Sequence, residues 1–167
     1  HAYRSAMERG AKRFGIHTML ASNELNYTYM VETARMMLDI IDRLSQTLKI
    51  RFDFINIGGG LGIPYNLIDA PIDLEAMGRD IAGLFAGFQE KHGWQPRLTM
   101  ESGRFMTGPH GALVTKVINH KDIYRKYIGV DASMSALMRP AMYGAYHHIH
   151  VIGKEDSDDL EVVDVVG

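Results

Sequence analysis

The sequence predicts an α/β fold: the closing sector of a (β/α)8 TIM-type barrel followed by the start of a C-terminal antiparallel β domain. Three observations lead there. Amphipathic helical stripes alternate with short apolar runs through residues 1–108, the order expected of a parallel sheet wrapped by helices. Beyond Gly108-Pro109 the helical stripes stop and β-branched runs take over. Three βα units are too few for a whole barrel, which takes about 250 residues. The chain opens on His1 rather than Met, and it is expected to be a portion of something longer. The predicted domains are therefore 1–108, the C-terminal part of a barrel, and 109–167, the first part of a β domain.

Each element has a local reason. Tyr3, Met7, Ala11 and Phe14 recur at spacings of three and four, which predicts a helix from Ala2 to Phe14 stopped by Gly15. Ile16 to Leu20 is a short buried run. A second helix is predicted over 26–49, where Tyr27, Met30, Val31, Ala34, Leu38, Ile41, Leu44 and Leu48 make one apolar stripe and Asn26 is its N-cap. Arg51 to Ile57 reads as a strand running into Gly58-Gly59-Gly60. Asp73 caps a third helix with Leu74, Met77, Ile81, Leu84, Phe85 and Phe88 on one face and Gly93 past its end. Leu98 to Glu101 is again strand-like. In the second part, Ala112 to Asn119, Tyr124 to Asp131 and Val162 to Val166 are the β-like runs, and Asp156 to Asp159 is a polar turn.

Composition removes several classes of function. The 167 residues include 18 basic and 20 acidic side chains, a net charge of −2, so there is no electrostatic footprint for nucleic acid or an anionic membrane. The absence of cysteine excludes a disulfide scaffold, a thiolate zinc site and a cysteine nucleophile within these residues. No apolar run approaches the roughly 18–20 residues of a membrane span, and no leader is visible, so a cytoplasmic protein is the expectation. The 11 methionines fall mostly on helix stripes and read as core filling.

Four segments carry candidate chemistry. In Asn56-Ile57-Gly58-Gly59-Gly60-Leu61-Gly62, four glycines in five positions follow a strand. Backbone N–H groups can there approach phosphate oxygens with no Cβ in the way; a plain strand-to-helix turn is the alternative. Neither the GxGxxG nor the P-loop spacing is present. Glu101-Ser102-Gly103-Arg104 follows the next strand, and barrels commonly bind phosphate with the loops after their last strands. Arg104 suits a phosphate or carboxylate, and Glu101 suits a proton on a heterocycle; a structural salt bridge between the two is the competing reading. His17 to Asn23 ends an earlier strand, where Ser22 and Asn23 are either phosphate donors or turn formers. Arg139 and Tyr143 put a cation and a phenol four residues apart. His147, His148 and His150 lack a supporting carboxylate or cysteine, so no metal is expected.

Taken in order and at these intervals, FINIGGGLGIPY, ESGR and VDASMSALMRPAMYGAYH resemble the diaminopimelate decarboxylase family, pyridoxal-phosphate enzymes with an alanine-racemase-like barrel and a following β domain. The resemblance runs from about Phe14 to His150. It implies decarboxylation of meso-2,6-diaminopimelate to L-lysine and CO2, with pyridoxal 5'-phosphate as cofactor and a homodimer as the working assembly. It also implies that Ser22, Gly58, Gly59 and Gly60 hold the cofactor phosphate, with Gly60 nearest. Glu101 then faces the pyridine nitrogen, Gly103 and Arg104 complete that loop, and Arg104, Arg139 and Tyr143 contact substrate. An arginine at the substrate's far end suits a second carboxylate, which ornithine lacks.

The chain departs from the family pattern in three places. A histidine that stacks on the cofactor ring is replaced by Met19, which is expected to cover the ring by soft packing. Ala21 replaces a glycine before Ser22, and Ser102 replaces a proline. None of Lys12, Lys49, Lys91, Lys116, Lys121, Lys126 and Lys154 sits in the context of the Schiff-base lysine, so that lysine and the catalytic cysteine are expected outside these residues. Two alternatives stay open: another basic amino-acid or carboxynorspermidine decarboxylase of the same fold, and a non-catalytic barrel remnant that only binds pyridoxal phosphate.

Overall fold

The computed structural model describes residues 1–66 and 68–167. The chain divides into two compact units, one of His1–Pro64 with Ala70–His110, the other of Tyr65–Asp69 with Gly111–Gly167.

The first unit alternates helix and strand: α1 (Ala2–Glu8), β1 (Gly15–His17), α2 (Thr28–Leu48), β2 (Phe54–Asn56), α3 (Leu74–His92), β3 (Arg97–Thr99) and the short α4 (Gly103–Thr107). Its strands form a parallel sheet in the order β1-β2-β3, with Ile16, Ile55 and Leu98 aligned across it. Helices α2 and α3 pack on each other and bury Met30, Ala34, Met37, Leu38, Ile41, Met77, Ile81, Phe85 and Phe88 around Ile55. The stripe read from the sequence is therefore the buried face of α2, widened by Met37 and by Thr33, whose hydroxyl is satisfied by the Tyr29 carbonyl at 2.7 Å.

Helix ends follow local chemistry. The N-cap of α2 is Tyr27 rather than Asn26, but Asn26 Oδ1 accepts from the first helical amide, that of Thr28, at 3.1 Å and from the Thr28 hydroxyl at 2.7 Å. Asp73 accepts from the Ala76 amide at 2.9 Å, and Gly93 closes α3 at φ 70°. The expectation for the first helix is corrected. It ends at Glu8 rather than Phe14 because Gly10, at φ 91°, lets its own amide reach the Met7 carbonyl and the Ala11 amide reach the Ala6 carbonyl. That pair of bonds is the Schellman arrangement, which needs a left-handed residue. Phe14 is buried all the same: Tyr3 meets Phe14 and Phe52 edge-on at 6.0 and 5.3 Å and donates its hydroxyl to the Gly15 carbonyl at 2.8 Å.

The second unit holds β4 (Val117–Asp122), β5 (Lys126–Val130), the short α5 (Arg139–Tyr143) and β6 (Asp164–Val166). Strands β4 and β5 form an antiparallel hairpin, but β6 joins β5 in parallel. The sheet is thus mixed, not antiparallel as expected. A parallel partner arrives through a long connection, and residue periodicity carries no information about strand direction. Asp131, just past β5, accepts from the Thr115 hydroxyl at 2.6 Å and the Lys116 amide at 2.8 Å. Those donors, the Lys116 amide first, hold its carboxyl below the usual carboxylate range. The polar turn near Asp156 is exposed, and Glu161 beside it pairs with Lys126. Met106, Met134, Met138 and Met142 are exposed, so core filling describes only part of the methionine set. No helix of the described residues is long and apolar enough to cross a membrane.

Candidate functional site

Three loops converge beyond the carboxyl ends of β1, β2 and β3, and backbone packing is what closes them. An isolated parallel bridge joins Glu24 to Leu61. The Glu24 amide donates to the Gly60 carbonyl and the Gly62 amide to the Glu24 carbonyl, each at 2.8 Å. On the other side, the Glu101 amide donates to the Gly58 carbonyl at 2.8 Å. The glycine loop is clamped between its neighbours, and its glycines are required by space. A Cβ on Gly58 would overlap the Thr18 carbonyl oxygen. One on Gly59 would stand 2.6 Å from the Glu101 carbonyl oxygen, and one on Gly60 2.6 Å from that of Ala21. Gly58 and Gly60 also sit at φ 73° and 106°, conformations that side chains disfavour.

The three amides of this loop are not equivalent. Gly58 N–H donates to Asn56 Oδ1 at 2.8 Å and Gly59 N–H points at the Met19 sulfur at 3.1 Å. Gly60 N–H makes no hydrogen bond among the described residues. Met19 thus covers the glycine loop with its thioether. Ser22 is exposed and its hydroxyl has no partner among the described residues. Asn23 takes the left-handed conformation of a turn, at φ 55°, and its side chain accepts across to the neighbouring loop from the Ile63 amide at 3.0 Å.

Glu101 faces outward from the same rim, its side chain 58% exposed. Its Oε1 accepts from Asn56 Nδ2 at 2.6 Å and lies 3.7 Å from His17 Nε2. Asn56 was not singled out from the sequence. Its signal was a polar residue ending an apolar strand, and only the register placing Asn56 beside His17 and Thr99 shows its use. Gly103 N–H donates to the Glu101 carbonyl at 2.8 Å as α4 begins. Arg104, half-buried in α4, makes no ion pair with Glu101 or any other described residue. The salt-bridge reading of Glu101 and Arg104 is therefore set aside.

Arg139 and Tyr143 belong to the second unit, both on α5. Arg139 Nη1 donates to the Tyr65 hydroxyl at 3.2 Å and lies 3.1 Å from His147 Nε2. Tyr143 is exposed. His148 contacts Tyr146 and His150 instead of converging on a centre, and among the described residues no group of three or more His, Asp or Glu gathers to hold a metal ion.

The first unit's rim thus offers an unused backbone donor in a Cβ-free cradle, an unpaired guanidinium, a free hydroxyl and an oriented carboxylate. Such a set suits a ligand with an anionic group and a protonated nitrogen.

The chain is similar to several known proteins. A chain of Pseudomonas amygdali pv. tabaci called Protein TabA is 44% identical over 99% of the chain; that name carries no chemistry. A diaminopimelate decarboxylase of Methanothermobacter thermautotrophicus is 38% identical over 99% of it. The chain spans about two fifths of each relative, 39% in both cases. Among solved structures, a diaminopimelate decarboxylase of M. jannaschii superposes with a TM-score of 0.71 at 31% identity, covering 79% of this chain and 30% of that one. The same protein is known in complex with L-lysine. The model of the pyridoxal-dependent decarboxylase C-terminal sheet domain matches residues 20–167, a span that takes in the glycine loop, Glu101 and every strand described above except β1. By that match the chain belongs to the pyridoxal-dependent decarboxylase family.

Proposed function

We propose that the chain is part of a longer enzyme that removes CO2 from meso-2,6-diaminopimelate to give L-lysine, with pyridoxal 5'-phosphate as cofactor. In this reading residues 1–108 are the closing sector of a (β/α)8 barrel and 109–167 begin a β domain. The observation that carries it is the cradle: Gly58, Gly59 and Gly60 exclude a Cβ on three sides, directly beside a carboxylate held by Asn56. The residues present fit the group. Gly60 N–H, Arg104 and Ser22 are the donors for its phosphate, and Glu101 is the acceptor for its pyridinium proton. When bound, that group would supply an electron sink for the pair left by departing CO2.

The chain's own residues supply orientation and charge. Asn56 Nδ2 orients the Glu101 carboxylate, which would accept from the ring N–H and favour the protonated ring nitrogen. Met19 shields the glycine loop from water on the β1 side. Arg139 and Tyr143 bind the distal end of the substrate, where diaminopimelate carries its second carboxylate. The covalent lysine and the catalytic cysteine come from the remainder of the longer enzyme, which works as a homodimer in the cytoplasm.

The test is CO2 release by the full-length protein from diaminopimelate, ornithine and arginine. Diaminopimelate is expected to be preferred by at least about 100-fold in kcat/KM, in line with the loss of a charge-assisted bidentate pair. Preference for another basic amino acid would replace the substrate. Bound pyridoxal phosphate without decarboxylation of any of them would leave only the binding role. Glu101→Gln is expected to lower kcat about 100-fold or more while leaving phosphate binding in place, because the amide cannot stabilise the pyridinium.

A further inference from the structure

Arg139, on the short helix α5, is held by two side chains from outside that helix. Its Nη1 donates to the Tyr65 hydroxyl at 3.2 Å and lies 3.1 Å from His147 Nε2. Its guanidinium carbon stands 5.2 Å over the Tyr65 ring, and that ring meets the His147 ring edge-on at 5.2 Å and 74°. Each of the three side chains touches the other two. All three are half-buried while Met138, Met142, Tyr143 and Tyr146 around them are exposed.

Backbone geometry explains how residues so far apart in sequence meet. Gly144 closes α5 at φ 60°, with its amide on the Pro140 carbonyl and the Ala145 amide on the Arg139 carbonyl. That left-handed residue turns the chain back, and His147, eight residues beyond Arg139, returns onto the guanidinium. Tyr65 comes from the segment that follows the glycine loop.

Proton inventory fixes the roles. Arginine only donates, so in this contact His147 Nε2 is the accepting atom. Only Nη1 is used. The Nε–Nη2 edge makes no hydrogen bond among the described residues, and it presents two parallel N–H groups, the pattern that takes a carboxylate in two bonds.

We propose that Tyr65 and His147 are positioning residues that hold Arg139 with its Nε–Nη2 edge turned to a substrate carboxylate, selecting amino acids with a second carboxylate over those without one. This rests on the assignment of Arg139 to the substrate's distal end. Tyr65 gives the guanidinium a face to stack on and a hydroxyl to bond. His147 supplies the second acceptor, which stops rotation about the stacked face.

The experiment uses the full-length holoenzyme and reads kcat and KM separately for diaminopimelate. His147→Ala is expected to raise KM about tenfold, a factor that corresponds to about 1.4 kcal/mol, with kcat within about twofold. His147→Gln, which keeps an acceptor oxygen near the Nε2 position, is expected to recover most of that loss. Tyr65→Phe keeps the stacking face, so about a threefold rise in KM is expected from the lost acceptor alone. In an Arg139→Gln background, His147→Ala is expected to add nothing, since its effect passes through the guanidinium.

If Arg139→Gln raises KM while the Tyr65 and His147 variants do not, or if His147→Ala adds its full effect in the Arg139→Gln background, positioning is overturned and the substrate assignment stands. If Arg139→Gln leaves KM unchanged, both fall. Should His147→Ala fail to fold, His147→Gln and Tyr65→Phe decide by the same split.

Discussion

The two units of this chain are stabilised by different means. The first buries a continuous apolar core in which Ala34, Ile41 and Ile55 are wholly inaccessible. In the second, Val130 is the only buried hydrophobic among the described residues, while Ile118, Ile152, Leu160 and Val162 lie open. Its order comes instead from the β4–β5–β6 ladder, the Asp131 clasp, the Lys126–Glu161 and Arg125–Asp164 ion pairs and the Arg139 cluster. Burial is the dominant favourable term in folding, whereas exposed ion pairs contribute little. The first unit is therefore the rigid part that carries a precise cradle, and the second depends on local polar contacts.

Core truncation should break this contrast most sharply. Ile55→Ala leaves a cavity at the centre of the parallel sheet and is expected to cost about 2–5 kcal/mol. Ile118→Ala, on an exposed strand, should stay within about 0.5 kcal/mol. Denaturant midpoints of the two variants measure the difference, and equal losses would mean that the second unit has a core of its own.

Glycines sharpen the comparison inside the first unit. Gly60→Ala has to place a methyl group 2.6 Å from the Ala21 carbonyl at φ 106°, and pyridoxal-phosphate affinity should fall about tenfold or more through the strained loop. Gly87→Ala, in α3 with open space around it, should instead stabilise by about 0.5–1 kcal/mol because alanine loses less entropy in a helix. Cofactor titration reads the first and thermal unfolding the second. Removing the cap with Asp73→Ala should cost about 1 kcal/mol, visible as a lower midpoint with an unchanged cradle.

The smallest effect is electrostatic. Asp42 on α2 bonds Lys91 at 2.7 Å and lies 3.4 Å from His92, both at the end of α3, and Gln46 donates to it at 2.6 Å. Lys91 first, with Gln46 and His92, holds its carboxyl below the ordinary carboxylate range against the opposing effect of burial. A depressed carboxylate stabilises fully above its unfolded value, about 3.9, and that stabilisation is lost as pH falls through the folded value. Unfolding midpoints from pH 5 down to 2 should therefore drop less steeply in Asp42→Asn than in the parent. Parallel curves would show that the clasp between α2 and α3 contributes nothing.

Part of this was legible from local pattern alone. The α2 stripe marks the buried face because a 3.6-residue period repeats within the helix itself. Asp73 and Gly93 mark the ends of α3 because capping bonds reach only three or four residues. Gly10 and Gly15 are each followed by an apolar residue, so pattern alone does not tell which of them ends α1. The left-handed conformation that ends α1 at Gly10 is a backbone state, not a composition. The parallel approach of β6 to β5 likewise leaves no trace in the run Val162 to Val166.

What the sequence determined by itself left out the short α4 and α5. It comprised the helix–strand alternation of the first unit as far as β3, the glycine loop, the family motif and the residue types able to bind a phosphate, a pyridinium and a carboxylate. Only tertiary structure decided which of them act. It showed that Asn56 orients Glu101, that Gly60 alone of Gly58, Gly59 and Gly60 keeps a free donor, and that Tyr65 and His147 hold Arg139. The reason is range. Helix periods and caps are written within a few residues, but a hydrogen bond between residues 56 and 101, or 65 and 139, exists only once sheet register and chain reversal have set the distance.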